Sequence, residues 1–460
     1  MQFWFSEGSS CEALCRRAPS AKRGTARHGG ERISTMQALK PLGWGLLLAG
    51  LGANSAFAQK ALSWAEIQEK FEAGNPTLKA SQLNIDESRA AEVTANLRPN
   101  PEITGTIDQI NPLASMASSN SGLSVYRPLS YALPFASVSY LHEREHKREL
   151  RLDSARKSTG IADSTYSDQK RVLLFNLRGA FVQILQAKMT VENARENLTY
   201  WDRELAVSRD RYRTGGIAKV DLGRLQLQRV QFESDLESAL VNLRTAKIQL
   251  LTLLNDRTPI EQFDVTGPYD FRDSLMPLEE LRKIALEARP DLRAAHQTIE
   301  LAKTNYQLAV ANGSTDPTFS VDLARNPPIP AYFGVSVSIP LRIFDRNQGE
   351  KARTEIDIRR SERLHDAAEA QVFSDVDSAY ATLNAALNLL RPYRDTYLKL
   401  ASDTREAIAF SYQNGGASLL DYLDAEKASR DTRLAYLNLV GSYLTAAAQL
   451  NLAVGREVIQ

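Results

Sequence analysis

Few residue clusters in this sequence could do chemistry, and each has a plainer structural reading beside it. His142-Glu143-Arg144-Glu145-His146 spells H-E-x-x-H. On a helix that spacing puts two imidazoles on one face with a glutamate between them, the arrangement a zinc protease uses. The surroundings, LHEREHKRELRL, are charged throughout, whereas a catalytic zinc needs a dry, shaped pocket. His296 and His365 lie far along the chain and offer no evident third ligand. The run therefore reads as a solvated helix face. No glycine-rich phosphate loop and no nucleophile–base set accompany it. The expectation is a protein that is not an enzyme, with no cofactor and no bound metal, whose work is driven by a partner.

Asp421 and Asp424 stand three apart and so share a helix face. They follow the stretch SYQNGGASLLDY, Ser411 to Tyr422, which repeats RYRTGGIAKVDL at Arg211 to Leu222. Tyr212, Gly215, Gly216 and Asp221 recur at the same offsets as Tyr412, Gly415, Gly416 and Asp421. Paired glycines fit a turn that needs positive φ or close backbone approach. Ser418-x-x-Asp421 fits a capping box, and acids favour a helix N-terminus. If copies of the chain surround an axis, the same acids become a ring that attracts cations. The two readings are compatible. The first turn lacks the second acid, since Asp221 is followed by Arg224.

The repeat extends over both halves of the chain. Amphipathic segments at Leu62–Gly74 and Pro277–Ala288 are followed by N-P-T-L at 75–78 and R-P-D-L at 289–292, each starting a helical run of about 21 residues, roughly 32 Å. Two extended stretches come next in each half. Ile103 and Ile107 alternate with polar residues, as do Leu123, Val125, Leu129, Tyr131 and Leu133, then Phe319, Val321 and Leu323, then Phe333, Val335, Val337 and Ile339. These four strands form two hairpins, at about 100–135 and 316–342. Strands of about ten residues, apolar on one face and small-polar on the other, suit an outer-membrane barrel. They suit a half-buried sheet in a soluble domain equally well.

Two long helical stretches follow the strands, from about Tyr140 to Tyr212 and from about Asp345 to Tyr412, the second broken only by Pro392. Each would span roughly 100 Å, too long for a compact globule of this size. After each Gly-Gly turn a shorter helix returns. Leu225, Arg229, Phe232, Leu236, Ala239, Leu243, Ala246, Leu250 and Leu253 follow 4-3 heptad spacing with one polar position, a coiled-coil seam. The fold class expected is mainly α with β: long antiparallel helical hairpins, duplicated, with strands at one end and the glycine turns at the other. The first repeat covers 59–258, a linker with breakers Pro259, Gly267 and Pro268 covers 259–276, and the second repeat covers 277–460.

From Met36 the chain has one basic residue, an apolar run at about 42–53, and Ala56-Phe57-Ala58 before Gln59. This is a secretory signal over 36–58, with 1–35 read as an over-called start. Removal takes Cys11 and Cys15, both of the cysteines, so disulfides and thiolate sites are excluded. Residues 1–58 carry seven of the 56 Lys and Arg and three of the 55 Asp and Glu, leaving 49 basic against 52 acidic side chains. No basic field remains to suit nucleic acid.

The duplicated turns, Tyr212-x-x-Gly215 to Asp221-Leu222 and Tyr412-x-x-Gly415 to Asp421-Tyr422-Leu423-Asp424-Ala425, resemble those of the TolC family of outer-membrane efflux channels. The likeness spans nearly all of the chain after Ala58. VSVSIPLRIFDRNQGE, Val335 to Glu350, looks like the matching stretch of the branch found in cobalt–zinc–cadmium efflux systems. The resemblance implies a TolC-like α-barrel tunnel. It also implies a homotrimer whose four strands per chain close a shared twelve-stranded β-barrel in outer-membrane lipid; strand count alone would allow a dimer. It implies a passive exit duct for heavy-metal cations in a tripartite system, with a periplasmic adaptor and an inner-membrane resistance–nodulation–division pump as partners. In the family the turns form the periplasmic tip, so Gly215, Gly216, Gly415 and Gly416 fall at the adaptor contact, and Asp421, Asp424, Asp221 and Tyr412 at the aperture. A family latch joins an Asp of the first turn to a Tyr and an Arg of the second. Asp221 and Tyr412 match it, but the Arg position holds Ala417. Drug or solvent efflux and type I polypeptide export are alternatives within the family. A periplasmic coiled-coil scaffold without a pore is the alternative outside it.

Overall fold

The computed structural model describes residues 61–460 apart from 114, 118–123, 127, 128, 130, 131, 327 and 460. The expected signal, the segment before it and both cysteines lie outside the described residues. In the first half, α1 (Trp64–Gly74) and α2 (Pro76–Ala95) lead to β1 (Glu102–Asp108), a short pair β2 (Ser115–Ala117) and β3 (Ser124–Tyr126), and β4 (Leu133–Leu141). Then α3 (Lys147–Arg213) runs out and α4 (Lys219–Leu253) returns. The second half repeats this with α5 (Leu278–Ala288), α6 (Pro290–Ala311), β5 (Thr318–Asn326), β6 (Ile329–Ser338), α7 (Gln348–Pro392), α8 (Leu398–Gln413) and α9 (Leu419–Val454).

Local chemistry sets the boundaries. Ser63 caps α1 through a capping box with Glu66, and Asn75 caps α2 by accepting from the Leu78 N–H at 3.0 Å. Pro76 and Pro290 each open a helix, where the missing N–H costs nothing. α3 has 67 residues, roughly 100 Å of rod. The second long stretch does not break at Pro392. The proline has no N–H to give, and the helix absorbs the defect in one π turn, Tyr393–Tyr397, before α8 continues. The heptad seam of α4 packs on α3. Leu225, Phe232, Ala239, Ala246 and Leu250 are buried, while Arg229 at the polar position leaves the seam to pair with Asp202 at 2.6 Å.

The second strand lies further along the chain than the alternation suggested. β4 begins at Leu133, where the expected strand ends, and α3 correspondingly begins at Lys147 instead of near Tyr140. Alternation holds one phase from Leu123 to Phe135 and the other from Ala136 to Tyr140, so the pattern alone marks no single strand. Pairing partners decide, because β4 is held on both sides, by β1 and by β5. The expected linker also proves to be packed. Leu62 donates to the Asp264 carbonyl at 2.9 Å and accepts from Thr266 at 2.9 Å, while Phe263, Val265 and Phe271 are buried. Tyr269 then donates to the Leu437 carbonyl at 2.7 Å, so the segment straps the two halves together.

One core belongs to the second half, around Leu281, Val376, Leu383, Val440 and Leu450, and another to the first, around Ile67, Phe71, Leu177, Ile184 and Leu250. A third, near the glycine turns, draws on both halves: Trp201, Leu205, Leu225, Phe232, Tyr412, Leu419 and Tyr422.

Candidate conduit: the exposed sheet and the paired helix tips

The four-stranded sheet runs β1-β4-β5-β6, antiparallel throughout. Its register sorts side chains by face. Ile103, Val138, Val321 and Val335 form one row across all four strands, Gly105, Ala136, Leu323 and Phe333 a second, and Tyr140, Phe319 and Val337 a third. The opposite face carries Ser139, Ser320 and Ser336, then Ser137, Asp322 and Gly334, then Phe135, Ala324 and Tyr332. Hydroxyls and carboxylate bond among themselves there: Ser137 Oγ to Asp322 Oδ1 and Ser320 Oγ to Ser336 Oγ, both 2.6 Å. On the central strands the apolar rows are the more exposed, as at Val138, Val321 and Leu323, while the edge strands β1 and β6 are open on both faces, with Val335 at 75 % and Phe333 at 72 %. A water-facing sheet would turn these side chains into a core, and a contiguous exposed apolar face this large marks a lipid or protein contact.

The two glycine turns are near copies. Gly215 and Gly415 have φ of +79° and +80°, the left-handed region that disfavours a Cβ. Gly215 N–H donates to the Tyr212 carbonyl and Gly415 N–H to that of Tyr412, both at 3.1 Å. Gly216 and Gly416 reach back to Arg211 and Ser411 at 2.7 and 2.8 Å. A Cβ on Gly416 would sit 2.9 Å from Ser411 Oγ, so the second glycine answers a close approach and the first a backbone angle.

The returning helices start differently. Ser418 and Asp421 complete a capping box, with Ser418 Oγ donating to Asp421 Oδ2 at 2.6 Å and the Asp421 N–H donating to Ser418 Oγ at 3.2 Å. The Ser418 bonds hold the exposed Asp421 carboxyl below its usual range. α4 has Ala218 in the cap position and no side-chain cap. Asp424 is exposed one turn beyond Asp421, on the same side of α9, while Asp221 is half-buried.

Tyr412 lies inside an aromatic column that the sequence did not disclose. Its ring stacks on Tyr422 at 5.0 Å and 7°, Tyr422 stacks on Trp201 at 6.1 Å and 9°, and Trp201 meets Phe232 at 5.2 Å. Guanidinium groups close both ends, Arg211 over Tyr412 at 5.4 Å and Arg430 over Phe232 at 5.5 Å. The four rings come from α8, α9, α3 and α4, so the column pins one hairpin to the other. The Trp201 indole N–H donates to the Leu225 carbonyl at 3.0 Å. Burial pushes the Tyr412 hydroxyl up; the Arg211 charge opposes this, and the charges of Asp221 and Glu204 add to it. The arginine that reaches Tyr412 is therefore Arg211, at the end of α3, and it meets the ring face by a cation–π contact. Beside the column Tyr200 is pushed up to about 12, chiefly by burial. Glu426, 8 % exposed, is raised by burial against the opposing Tyr200 hydrogen bond and Arg405 charge, and its Oε1 makes no hydrogen bond among the described residues. The signal that could have revealed the column is compositional: Tyr200-Trp201, Phe232, Tyr412 and Tyr422 cluster within about four and a half turns of the two glycine turns.

The H-E-x-x-H run is not helical. Leu141 ends β4, Glu145 and His146 take φ of +54° and +55°, and α3 starts only at Lys147. Glu143 pairs with Arg151, its Oε2 accepting from Nη2 at 2.9 Å, and cannot serve as a free base. The run is a strand-to-helix corner instead of a solvated helix face. His296 and His365 do meet, ring to ring at 6.1 Å, away from that corner. Among the described residues no group of three or more His, Cys, Asp or Glu is placed to hold a metal ion. No described helix is long and apolar enough to cross a membrane.

Long paired rods ending in glycine turns, beneath a sheet with its apolar face outward, define the architecture of outer membrane efflux channels. Residues 281–456 match the family described as outer membrane efflux protein. The cobalt-zinc-cadmium resistance protein CzcC of Cupriavidus metallidurans is 23 % identical over 387 residues, covering 83 % of this chain and 87 % of that protein. The outer membrane protein TolC of Vibrio cholerae is 24 % identical over 438 residues, covering 91 % and 96 %. A solved structure of CusC superposes with a TM-score of 0.70 at 18 % identity, covering 85 % of this chain and 92 % of that one. The second half of the chain thus matches the outer membrane efflux protein family, and the chain as a whole is similar to TolC-family channels, the resemblance carried by the duplicated turns and the IPLRIFDRNQGE stretch.

Proposed function

We propose that this chain is the outer-membrane exit duct of a tripartite efflux system, assembled as a trimer in which three four-stranded sheets close one twelve-stranded barrel. The observation that carries the reading is the sheet's polarity. On the central strands its exposed face is apolar, its other face carries serine hydroxyls and Asp322 beside one row of Phe135, Ala324 and Tyr332, and β1 and β6 each pair on one side only among the described residues. Eight strands are about the minimum for a membrane barrel, so one chain cannot close alone. The helical hairpins continue the tube into the periplasm. Their tips, with Gly215, Gly216, Gly415 and Gly416 at the ends, meet an adaptor protein, and a proton-driven pump of the inner membrane supplies the energy.

The cargo we propose is heavy-metal cations, supported by the likeness to a cobalt-zinc-cadmium resistance protein over most of both chains. The second turn lines the aperture, where Asp421 and Asp424 form rings of exposed carboxylates. Asp221, Tyr412 and Arg211 hold the tip closed from further out. The test is extraction followed by planar-bilayer recording. A membrane barrel stays with the membrane through salt and alkali washes and yields channels once solubilised in detergent, whereas a scaffold without a pore washes off. Loss of metal tolerance in a deletion strain, with drug tolerance and polypeptide export intact, supports the cargo; the reverse pattern selects the alternatives.

A further inference from the structure

Two histidines that the proposed function leaves unused face each other across α6 and α7. The ring centroids of His296 and His365 are 6.1 Å apart, with their planes at 66°. The two helices run antiparallel and are tied on both sides of the pair. Asn347 Nδ2 donates to the Ala309 carbonyl at 2.7 Å toward one end, and Arg289 pairs with Asp375 at 2.8 Å toward the other. α6 is also fixed beside the pair, where Ser164 Oγ of α3 donates to Gln297 Oε1 at 2.8 Å. The backbone positions of both histidines are therefore set by contacts that do not involve the imidazoles, which is what a preorganised ligand pair needs.

Two imidazoles bound to one ion, each nitrogen at about 2.0–2.1 Å, have ring centres roughly 5–6 Å apart, so small side-chain rotations bring this pair to that geometry. His296 is exposed and His365 half-buried, which lets an ion reach them from solvent. The neighbouring cations are neutralised, Lys303 by Glu300 at 2.8 Å and Arg363 by Asp366 at 3.2 Å. A second observation points the same way. Ser361 stands one turn before His365 on the same face of α7. It is 2 % exposed, and its Oγ makes no hydrogen bond among the described residues. In a metal site the imidazole N–H turned away from the ion, and any water on the ion, need such a partner. We propose that His296 and His365 together bind one divalent transition ion of the zinc, nickel or copper(II) class, which staples α6 to α7. Imidazole suits these ions, whereas magnesium and calcium take oxygen ligands. Water fills the remaining positions, since no third His, Cys, Asp or Glu completes the group among the described residues. The site lies on the rods, far along the chain from Asp421 and Asp424, and does not depend on the cargo proposed above.

The test uses the protein purified in detergent without a histidine tag and stripped with a chelator. Zinc titration by calorimetry should give one ion per chain. His296→Ala and His365→Ala should each weaken binding by about tenfold or more, while His142→Ala, at the strand-to-helix corner, should leave it unchanged. Copper(II) added at one ion per chain should show two nitrogen ligands by electron paramagnetic resonance, and one in either variant. Saturating zinc binds the folded pair and should raise the melting temperature of the parent but of neither variant. Circular dichroism without metal checks that the variants fold. Equal zinc affinity in parent and both variants overturns the site, as does a single nitrogen on copper in the parent. Variants that melt lower without zinc, yet gain as much from zinc as the parent does, also overturn it and leave the two rings as a packing contact.

Discussion

Glu426 is a carboxylate whose chemistry the packing disturbs. Burial raises its carboxyl above the usual range, so the folded protein binds a proton more tightly than the unfolded chain does. The sign follows: the group lowers stability once pH exceeds its folded-state value, and the penalty disappears as pH falls below the unfolded value of about 4.3. Glu426→Gln should therefore melt higher than the parent at pH 7.5 and equally at pH 4, read by circular dichroism in detergent. An equal melting temperature at both pH values would show that Tyr200 and Arg405 fully compensate the charge. At the turn, Gly415 at φ +80° predicts a different outcome. Gly415→Ala should cost about 1–2 kcal/mol of tip stability, and Gly415→Val should impair transport while leaving membrane insertion normal. For the exposed acids, replacing both Asp421 and Asp424 by Ala should reduce cation preference and weaken block by multivalent cations in single-channel recording. Unchanged selectivity would leave Asp421 as the helix cap that its bonds to Ser418 already make it.

Among the elements, the aromatic column controls how the two hairpins sit against each other. Trp201 touches both Phe232 of its own hairpin and Tyr422 of the other, and is 1 % exposed. Trp201→Ala should cost about 3–5 kcal/mol locally, through lost burial and the cavity left behind. Tyr412→Ala removes only the outermost ring and its Arg211 contact. It should loosen the tip and raise conductance, with little change in the melting of the rods. If Tyr412→Ala leaves conductance as it was, the column is structural and does not hold the tip closed. Beyond the column, away from the tip, the α4 seam is ordinary coiled coil, and Leu250→Ala, at a fully buried position, should cost about 2–5 kcal/mol.

For the whole molecule, the arrangement of surfaces argues for assembly. Each layer ends in an edge, the sheet at β1 and β6 and the helices at α2 and α7, and the two kinds of edge coincide. An open edge in lipid leaves backbone groups without partners, which costs several kcal/mol per group, so closure by further copies removes a large penalty at once. Light scattering with detergent mass subtracted should accordingly return three chains per particle, and a well-behaved monomer would sink the shared barrel.

The sequence by itself determined what short-range periodicity and turn chemistry encode. The duplication, both glycine turns, the 4-3 seam from Leu225 to Leu250 and the helix starts at Asn75-Pro76 and Arg289-Pro290 were legible because each depends on neighbours within one or two turns. Tertiary structure decided the rest. Alternation changes phase after Phe135 and marks no boundary at Leu133, so only pairing with β1 and β5 could place β4 at Leu133–Leu141. His142–His146 has helical spacing, yet the strand before it and the left-handed Glu145 and His146 turn it into a corner. The arginine over the Tyr412 ring comes from about 200 residues away, and spacing within one turn carries no information about the other. The same holds for Trp201, Tyr422 and Phe232: each is an ordinary core aromatic in its own helix, and only the packing of four helices stacks them into a column.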